Sequence, residues 1–239
     1  MKNLLLRHLS ETDFRILEPH LKTVAFEQHS LLFEADQEIR SVYFPAGAVV
    51  SLVVTLSTGE MIETAMVGID GVVGAAAALD GRMSLCRGIV QLGGDIVVCN
   101  MDALKTATLQ SPRLLALLMR HEQAVYAQAQ QSAACFASHS VQARLCRWLL
   151  RARDLSGSDQ LQFTQEYLGQ MLGARRSSVT VVARTLQAAG LIRYARGKIR
   201  ILDAEGLEEG TCECYAAVKA RYEQLLGTDT ARKIDASLA

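Results

Sequence analysis

The sequence predicts an α+β chain in three parts: an N-terminal β-barrel or jelly roll, one long helix, and a C-terminal winged helix-turn-helix. Three observations carry this reading. Short apolar or alternating runs separated by turn signals fill residues 24–103. An unbroken helical pattern follows from Ser111 to about Ala137. Two short helical segments meeting at a glycine, then a hairpin, occupy residues 161–202. The boundaries expected are 1–110 for the barrel, 111–140 for the helix and its hinge, and 141–239 for the last part.

Composition narrows the class. Half of the 239 residues are hydrophobic and 21% are charged, which excludes a disordered chain; three prolines and seventeen glycines exclude a fibrous one. No apolar run reaches the roughly 18 residues that span a bilayer, since the longest candidate, Met66 to Leu79, is broken by Asp70 and three glycines. Met1 to Ser10 has no small-residue cleavage site, so no signal peptide is read. Six cysteines at irregular spacings fit reduced thiols. A cytoplasmic protein without a membrane partner is expected.

The neutral net charge hides an uneven distribution. Residues 1–110 carry 8 basic and 13 acidic side chains, residues 141–203 carry 11 and 4, and residues 204–239 carry 4 and 7. A basic block beside acidic ones points to a module that faces a polyanion.

Along the chain, Leu6, Leu9, Phe14, Leu17 and Leu21 give the first 25 or so residues a helical spacing. Strands are expected at Leu31–Phe33, Ser41–Phe44, Val49–Thr55, Met61–Val67, Gly88–Leu92 and Asp95–Cys99, between turns rich in glycine, proline and aspartate. Ser111 and Pro112 open the long helix as N-cap and first helical residue. Its stripe Leu114, Leu118, His121, Val125, Gln128, Ser132 and Cys135 is weakly apolar and flanked by alanines, which suggests close pairing with a second helix. Ser138–His139–Ser140 forms a junction before another amphipathic helix, Val141–Asp154.

Residues 161–202 carry the functional expectation. Thr164 is an N-cap candidate, Leu168, Met171 and Leu172 form a buried face, and Gly173 permits a tight turn. A second helix runs from about Arg175 to Gly190 and buries Val179, Val182 and Leu186; Ala195-Arg196-Gly197 then turns a hairpin. In a helix-turn-helix the start of the second helix enters the major groove. Arg175, Arg176, Ser177, Ser178 and Thr180 stand there, with Arg184 further along, and Arg193, Arg196, Lys198 and Arg200 on the hairpin. A guanidinium can donate to guanine O6 and N7 together, and hydroxyls suit base edges or phosphates. Two arginines at a helix start oppose the macrodipole, so they ask for an external anion. Double-stranded DNA is the expected partner.

The order of parts resembles the Crp/Fnr superfamily of bacterial transcription regulators, most specifically in FTQEYLGQMLGARRSSVTVVARTLQAAGLI. The barrel stretch VYFPAGAVVSLVVTLSTGEMIETAMVGIDGVVG is similar to that family's cyclic-nucleotide-binding-like sensor domain. The resemblance implies a homodimer paired through residues 112–137, a palindromic operator, and RNA polymerase as a further partner. It places Arg176, Ser177 and Val181 at the base-reading positions, with valine where arginine is frequent. It also maps the effector segment onto Gly71, Val72 and Gly74, with Arg82 or Arg87 as the guanidinium. Members that bind cyclic AMP carry a Gly-Glu pair there, and Val72 stands in place of the glutamate. No cyclic AMP binding in the usual mode is therefore expected, and the effector is left unassigned.

The first cysteine is Cys86, so an N-terminal iron–sulfur cluster is not read. Cys212-Glu-Cys214 is the one close pair, without a histidine nearby in sequence. The other cysteines (Cys99, Cys135 and Cys146) are taken as core residues, and His8, His20, His29, His121 and His139 as solvated or capping, so no metal or cofactor is assigned. No catalytic motif is found, and an enzyme is not expected. A sensor that acts through a protein partner is the alternative to a DNA-binding regulator.

Overall fold

In the computed structural model, which describes residues 2–227, two antiparallel sheets face each other and a long helix crosses their outside. After two short helices, α1 (Leu4–Arg7) and α2 (Glu11–Leu17), come β1 (Leu21–Phe26), β2 (Leu31–Phe33), β3 (Ser41–Pro45), β4 (Val49–Thr55), β5 (Met61–Val67), β6 (Arg87–Leu92) and β7 (Gly94–Asn100). One sheet has the order β1-β7-β3, the other β2-β6-β4-β5. Val50, Val67 and Val90 of the second sheet meet Ile96 of the first in a shared core, where they are buried. The result is a jelly-roll-like sandwich, as the strand spacing predicts.

The N-terminal helix expectation needs correction. Ser10 interrupts it by accepting from the Asp13 N–H, the start signal of α2, and Leu21 belongs to β1, paired with Cys99. Strand β1 lies at a sheet edge with few inward residues, so its alternation is faint. The expected strand region also ends earlier. Asn100 accepts from the N–H groups of Asp102 and Ala103 and starts α3 (Met101–Gln110).

Helix α4 (Pro112–Ser138) opens on Ser111, whose hydroxyl accepts from the Leu114 N–H. Its 27 residues extend about 40 Å. The stripe Leu114, Leu118, His121, Gln128, Ser132 and Cys135 is buried within the chain. Part of it lies against β5 and the loop after it, where the Val72 N–H donates to His121 Nε2 at 3.1 Å. The second helix that covers the rest is α9 (Cys214–Leu226) of the same chain, a partner that the sequence pattern does not announce. Ala124 packs on Val218 and Tyr222, and the Tyr222 hydroxyl hydrogen-bonds the Gln128 amide at 3.1 Å. What α4 leaves exposed is a different stripe: Leu115, Met119, Tyr126 and Ala133, with half-buried Glu122 and Ala129 between them.

Beyond the junction come α5 (Val141–Ser156), β8 (Gln160–Gln162), α6 (Gln165–Met171), α7 (Arg176–Ala188), β9 (Ile192–Ala195), β10 (Lys198–Ile201) and α8 (Ala204–Glu209), before α9. Strand β8, not expected from sequence, pairs with β10 and widens the hairpin to three strands. The acidic run after Ala204 supplies α8, capped by Asp203. The polar tail after Gly227 lies outside the described residues.

The C-terminal part is docked on the sandwich through one continuous core. Val49, Val53 and Met66 of β4 and β5 cluster with Leu145, Trp148 and Leu149 of α5 and with Leu168 and Met171 of α6. Gly68 lets α5 approach, since a Cβ there would stand 2.6 Å from Leu155 Cβ. Polar fastenings cross the same seam. Arg151 meets Asp70 at 2.7 Å, the Tyr167 hydroxyl donates to Gln91 Oε1 at 2.5 Å, and Trp148 Nε1–H donates to Glu63 Oε1 at 2.9 Å. Ser51 Oγ donates to the other oxygen of Glu63.

Burial raises the Glu63 carboxyl to about 7, against the pull of Ser51, Arg147, Trp148 and Arg151. That value lies above the 4.5 of an ordinary glutamate, so ionisation opposes folding. Its contribution is full below pH 4.5 and is lost as the pH rises to about 7, a change on the order of 3 kcal/mol. Glu63→Gln keeps an acceptor for Trp148 and presents an N–H to the Ser51 hydroxyl, which then accepts, as it would from the protonated carboxyl. Denaturant unfolding across that pH range should show a stability decline in the wild type that is absent in the variant; parallel curves would contradict it.

Candidate nucleic-acid interface

Helices α6 and α7 form the two arms of the helix-turn-helix. Thr164 caps α6, accepting from the Tyr167 N–H at 3.2 Å, and Leu168, Met171 and Leu172 are buried as expected. Gly173, at φ +56°, turns the chain in the left-handed region that favours glycine. The turn is tight: a Cβ on Gly169 of α6 would stand 2.7 Å from the Ala174 carbonyl oxygen. Val179, Ala183 and Leu186 bury the inner side of α7. Gly190, at φ +78°, follows its end.

Helix α7 starts one residue later than expected. Arg175 is the N-cap, extended at φ −64° and ψ 139°, and its side chain makes no cap hydrogen bond. The first N–H groups of α7 therefore have no side-chain acceptor, and the positive end of the helix is open to an outside anion.

The outer side of α7 presents Arg176, Ser177, Val181 and Arg184, all exposed, with Arg175 beside them and Val181 63% exposed. Ser178 and Thr180 are half-buried. The Thr180 hydroxyl donates to Gln165 Oε1 at 2.6 Å, so it ties α7 to α6 as well as lying near the surface. Arg176 reaches Glu166 only at 3.8 Å with both side chains well exposed, a contact too weak to hold the guanidinium back.

The hairpin between β9 and β10 turns on Arg196 (φ +50°) and Gly197 (φ +76°), both positive as a two-residue type I′ turn requires. Arg193, Arg196, Lys198 and Arg200 are exposed on it. A cleft of about 430 Å³ between the hairpin and the starts of α6 and α7 is lined by Arg176 and Arg196. A second, of about 480 Å³, separates Thr58–Ile62 of the sandwich from Gly169 and Gly173–Arg176. Seven of the nine residues expected at this interface stand on α7 and its N-cap, and Arg176 and Arg196 are brought to one cleft.

The effector candidates are not. Gly71 and Val72 are closed against α4: a Cβ on Gly71 would meet His121 Nε2 at 2.4 Å, and Val72 is 1% exposed. Gly74, at φ +85°, turns the chain beside Ile39. Arg82 points to Glu38 and Asp102 at 3.8 and 3.7 Å, whereas Arg87 pairs with both oxygens of Glu34 at 2.9 and 2.6 Å. The Arg87 partner holds the Glu34 carboxyl below the usual range.

Sequence reasoning missed His121, read as solvated or capping and found fully buried. It also missed a group of ligand-type side chains that chain folding brings together: Cys135, His139, Cys212 and Cys214, whose sulfur and nitrogen atoms lie within 4.8 Å of one another. The signal was present as two halves, Cys135-x3-His139 and Cys212-x-Cys214, about 75 residues apart. Among the described residues, no helix is long and apolar enough to cross a membrane.

Residues 143–209, which contain this interface, match the Crp-like helix-turn-helix domain. No curated protein sequence matches the chain. Among solved structures, it is similar to a CRP/FNR-family transcriptional regulator of Thermus thermophilus (23% identity, 79% of this chain and 97% of that one, TM-score 0.64). A CRP-family transcriptional regulator of the same organism is comparable (22%, 78% and 95%, 0.63). So is the c-di-GMP-responsive global regulator CLP of Xanthomonas campestris (14%, 80% and 99%, 0.65). The chain carries a Crp-like helix-turn-helix domain on the fold of Crp/Fnr-family transcription regulators.

Proposed function

We propose that the protein is a sequence-specific DNA-binding transcription regulator that acts as a homodimer on a palindromic site. The observation that carries this is α7 itself. It is anchored by a buried inner face, uncapped at its N-terminus, and exposed along Arg176, Ser177, Val181 and Arg184. Base reading is assigned to Arg176 and Ser177, with Val181 offering only apolar contact, such as a thymine methyl. Arg175, Ser178, Thr180 and Arg184 flank them, and Arg196 and Lys198 of the hairpin take backbone phosphates.

The exposed stripe of α4 supports the dimer. Positions 115, 119, 122, 126, 129 and 133 alternate steps of four and three, the spacing of a coiled-coil seam. Paired there, two chains would set their α7 helices in successive major grooves roughly 34 Å apart. RNA polymerase is the further partner assigned to such a complex.

The sandwich is not assigned cyclic AMP in the usual mode. Val72 cannot accept a ribose hydroxyl, and its N–H is already engaged by His121. Calorimetry with cyclic AMP should show no saturable heat at micromolar ligand; a micromolar dissociation constant would overturn this.

Selection of genomic fragments by the purified protein tests the main reading. The wild type should recover a palindrome that the Arg175→Ala/Arg176→Ala double variant does not. Arg176→Ala alone should cost about 1–3 kcal/mol on the selected site and relax preference at one base pair per half-site. Lys198→Ala should weaken specific and random DNA alike and lower the salt slope by about one. Equal losses on both kinds of DNA for Arg176→Ala would remove it from base reading.

The dimer has its own check. Met119→Glu/Tyr126→Glu should shift the protein to monomer in sedimentation and weaken palindrome binding more than half-site binding. An unchanged mass would move the interface elsewhere.

A further inference from the structure

The C-terminal end of α4 meets the start of α9 at a cluster that DNA reading does not use. Cys135 Sγ lies 3.6 Å from Cys212 Sγ, and Cys214 Sγ lies 3.6 Å from His139 Nδ1. The three cysteines are buried and unoxidised, and His139 is partly covered. In a tetrahedral site with metal–sulfur bonds of ~2.3 Å and metal–nitrogen bonds of ~2.0–2.1 Å, ligand-to-ligand edges are about 3.6–3.8 Å. Two edges of the cluster already have that length.

The surroundings fit the same geometry. The Glu213 carboxylate lies 3.2 Å from His139 Nε2. That contact fixes the imidazole with its Nε2–H toward the carboxylate and its Nδ1 lone pair toward the sulfurs, the arrangement by which a carboxylate orients a metal-binding histidine. Cys214 is the first residue of the 13-residue helix α9, where the positive helix end favours a thiolate. Gln131 Nε2 donates to its sulfur at 3.0 Å.

Arg147 completes the picture. Its side chain is buried and its Nε has no hydrogen-bond partner; burial raises the Cys135 thiol, and the Arg147 charge pulls against that rise. Three thiolates, one neutral imidazole and a divalent cation carry one net negative charge, the complement of that buried guanidinium.

We infer that Cys135, His139, Cys212 and Cys214 form a Cys3His site for a zinc-class divalent cation. Three sulfurs and an imidazole select a thiophilic, tetrahedral ion over magnesium or calcium. All four corners are protein atoms, so the site is structural and holds no open position for a reacting water. It fastens the loop after α8 and the first residue of α9 to the last turn of α4, beside the junction that leads into α5. The inference does not depend on the DNA-binding assignment.

Protein purified with reductant and without chelator should contain about one zinc per chain. After stripping with chelator, titration of Co2+ into the full chain should give the intense visible bands of tetrahedral cobalt and a near-ultraviolet thiolate-to-cobalt band. Cys135→Ser and Cys212→Ser should each diminish the thiolate band and weaken Zn2+ binding at least tenfold. Glu213→Gln should weaken it about tenfold while keeping the spectrum, and Cys86→Ser, in the sandwich, should change nothing. Circular dichroism identifies any variant that has lost its fold. For such a variant, protection of the wild-type thiols from alkylation by Zn2+ and its loss on chelation give the same answer. A folded, reduced wild type that shows no thiolate–cobalt band would overturn the site. So would an unchanged band in folded Cys212→Ser, or a metal-free protein whose Cys135 and Cys212 are joined as a disulfide.

Discussion

One surface of one helix has to satisfy two neighbours, and the architecture follows from how α4 divides itself between them. Toward the sandwich it offers His121, an acceptor for the Val72 N–H in a place water does not reach. Toward α9 it offers Ala124 and Gln128, small enough and polar enough to take Val218 and Tyr222. A 3.6-residue period lets these demands share one side of the cylinder and leaves the stripe through Met119 and Tyr126 outside. An unpaired donor at Val72 or an empty space under Tyr222 would each disturb the helix that both flanking parts rest on.

The docking of α5 shows a second division of labour. Apolar contact among Val53, Met66, Trp148 and Leu149 supplies nondirectional attraction. The direction comes from polar groups in the same seam: Glu63 between Ser51 and Trp148, and Asp70 against Arg151, whose guanidinium also lies 4.6 Å above the Tyr222 ring. Groups of this kind add little net stability once desolvation is counted, but they penalise any other register between the parts. They hold α7 in one placement relative to α4.

Much of this was legible in the sequence wherever the signal is local. Periodicity and turn residues located β2 to β7 to within a residue or two at their ends, Ser111-Pro112 marked the start of α4, and Gly173 and Gly190 bounded the helix-turn-helix arms. What escaped depends on contacts distant in the chain. Strand β1 has too few inward residues to alternate visibly. Helix α9 shows Tyr215, Val218 and Tyr222 at steps of three and four, but nothing local says that its partner is α4. The buried stripe of α4 was identified and its partner left unnamed for that reason: a small-residue face specifies close approach without specifying whose helix approaches. His121 and Glu63 were illegible because a polar side chain discloses its burial only through neighbours 49 and 85 residues away. Cys135 and His139 waited on Cys212 and Cys214 in the same way.

The close approach at Gly68 bears on how interchangeable the parts of this fold are. A sandwich from another chain of this fold could replace this one only if it offered three things along the same seam. These are a residue without a side chain where Leu155 arrives, an acceptor where the Trp148 indole points, and apolar groups at the places of Val53 and Met66. A chimaera that respects the chain boundary but not this seam would inherit a steric clash and a stranded indole N–H at once. The unit that can be exchanged is therefore wider than the stretch of sequence that folds around its own strands, and it includes the face of α5 pressed against them.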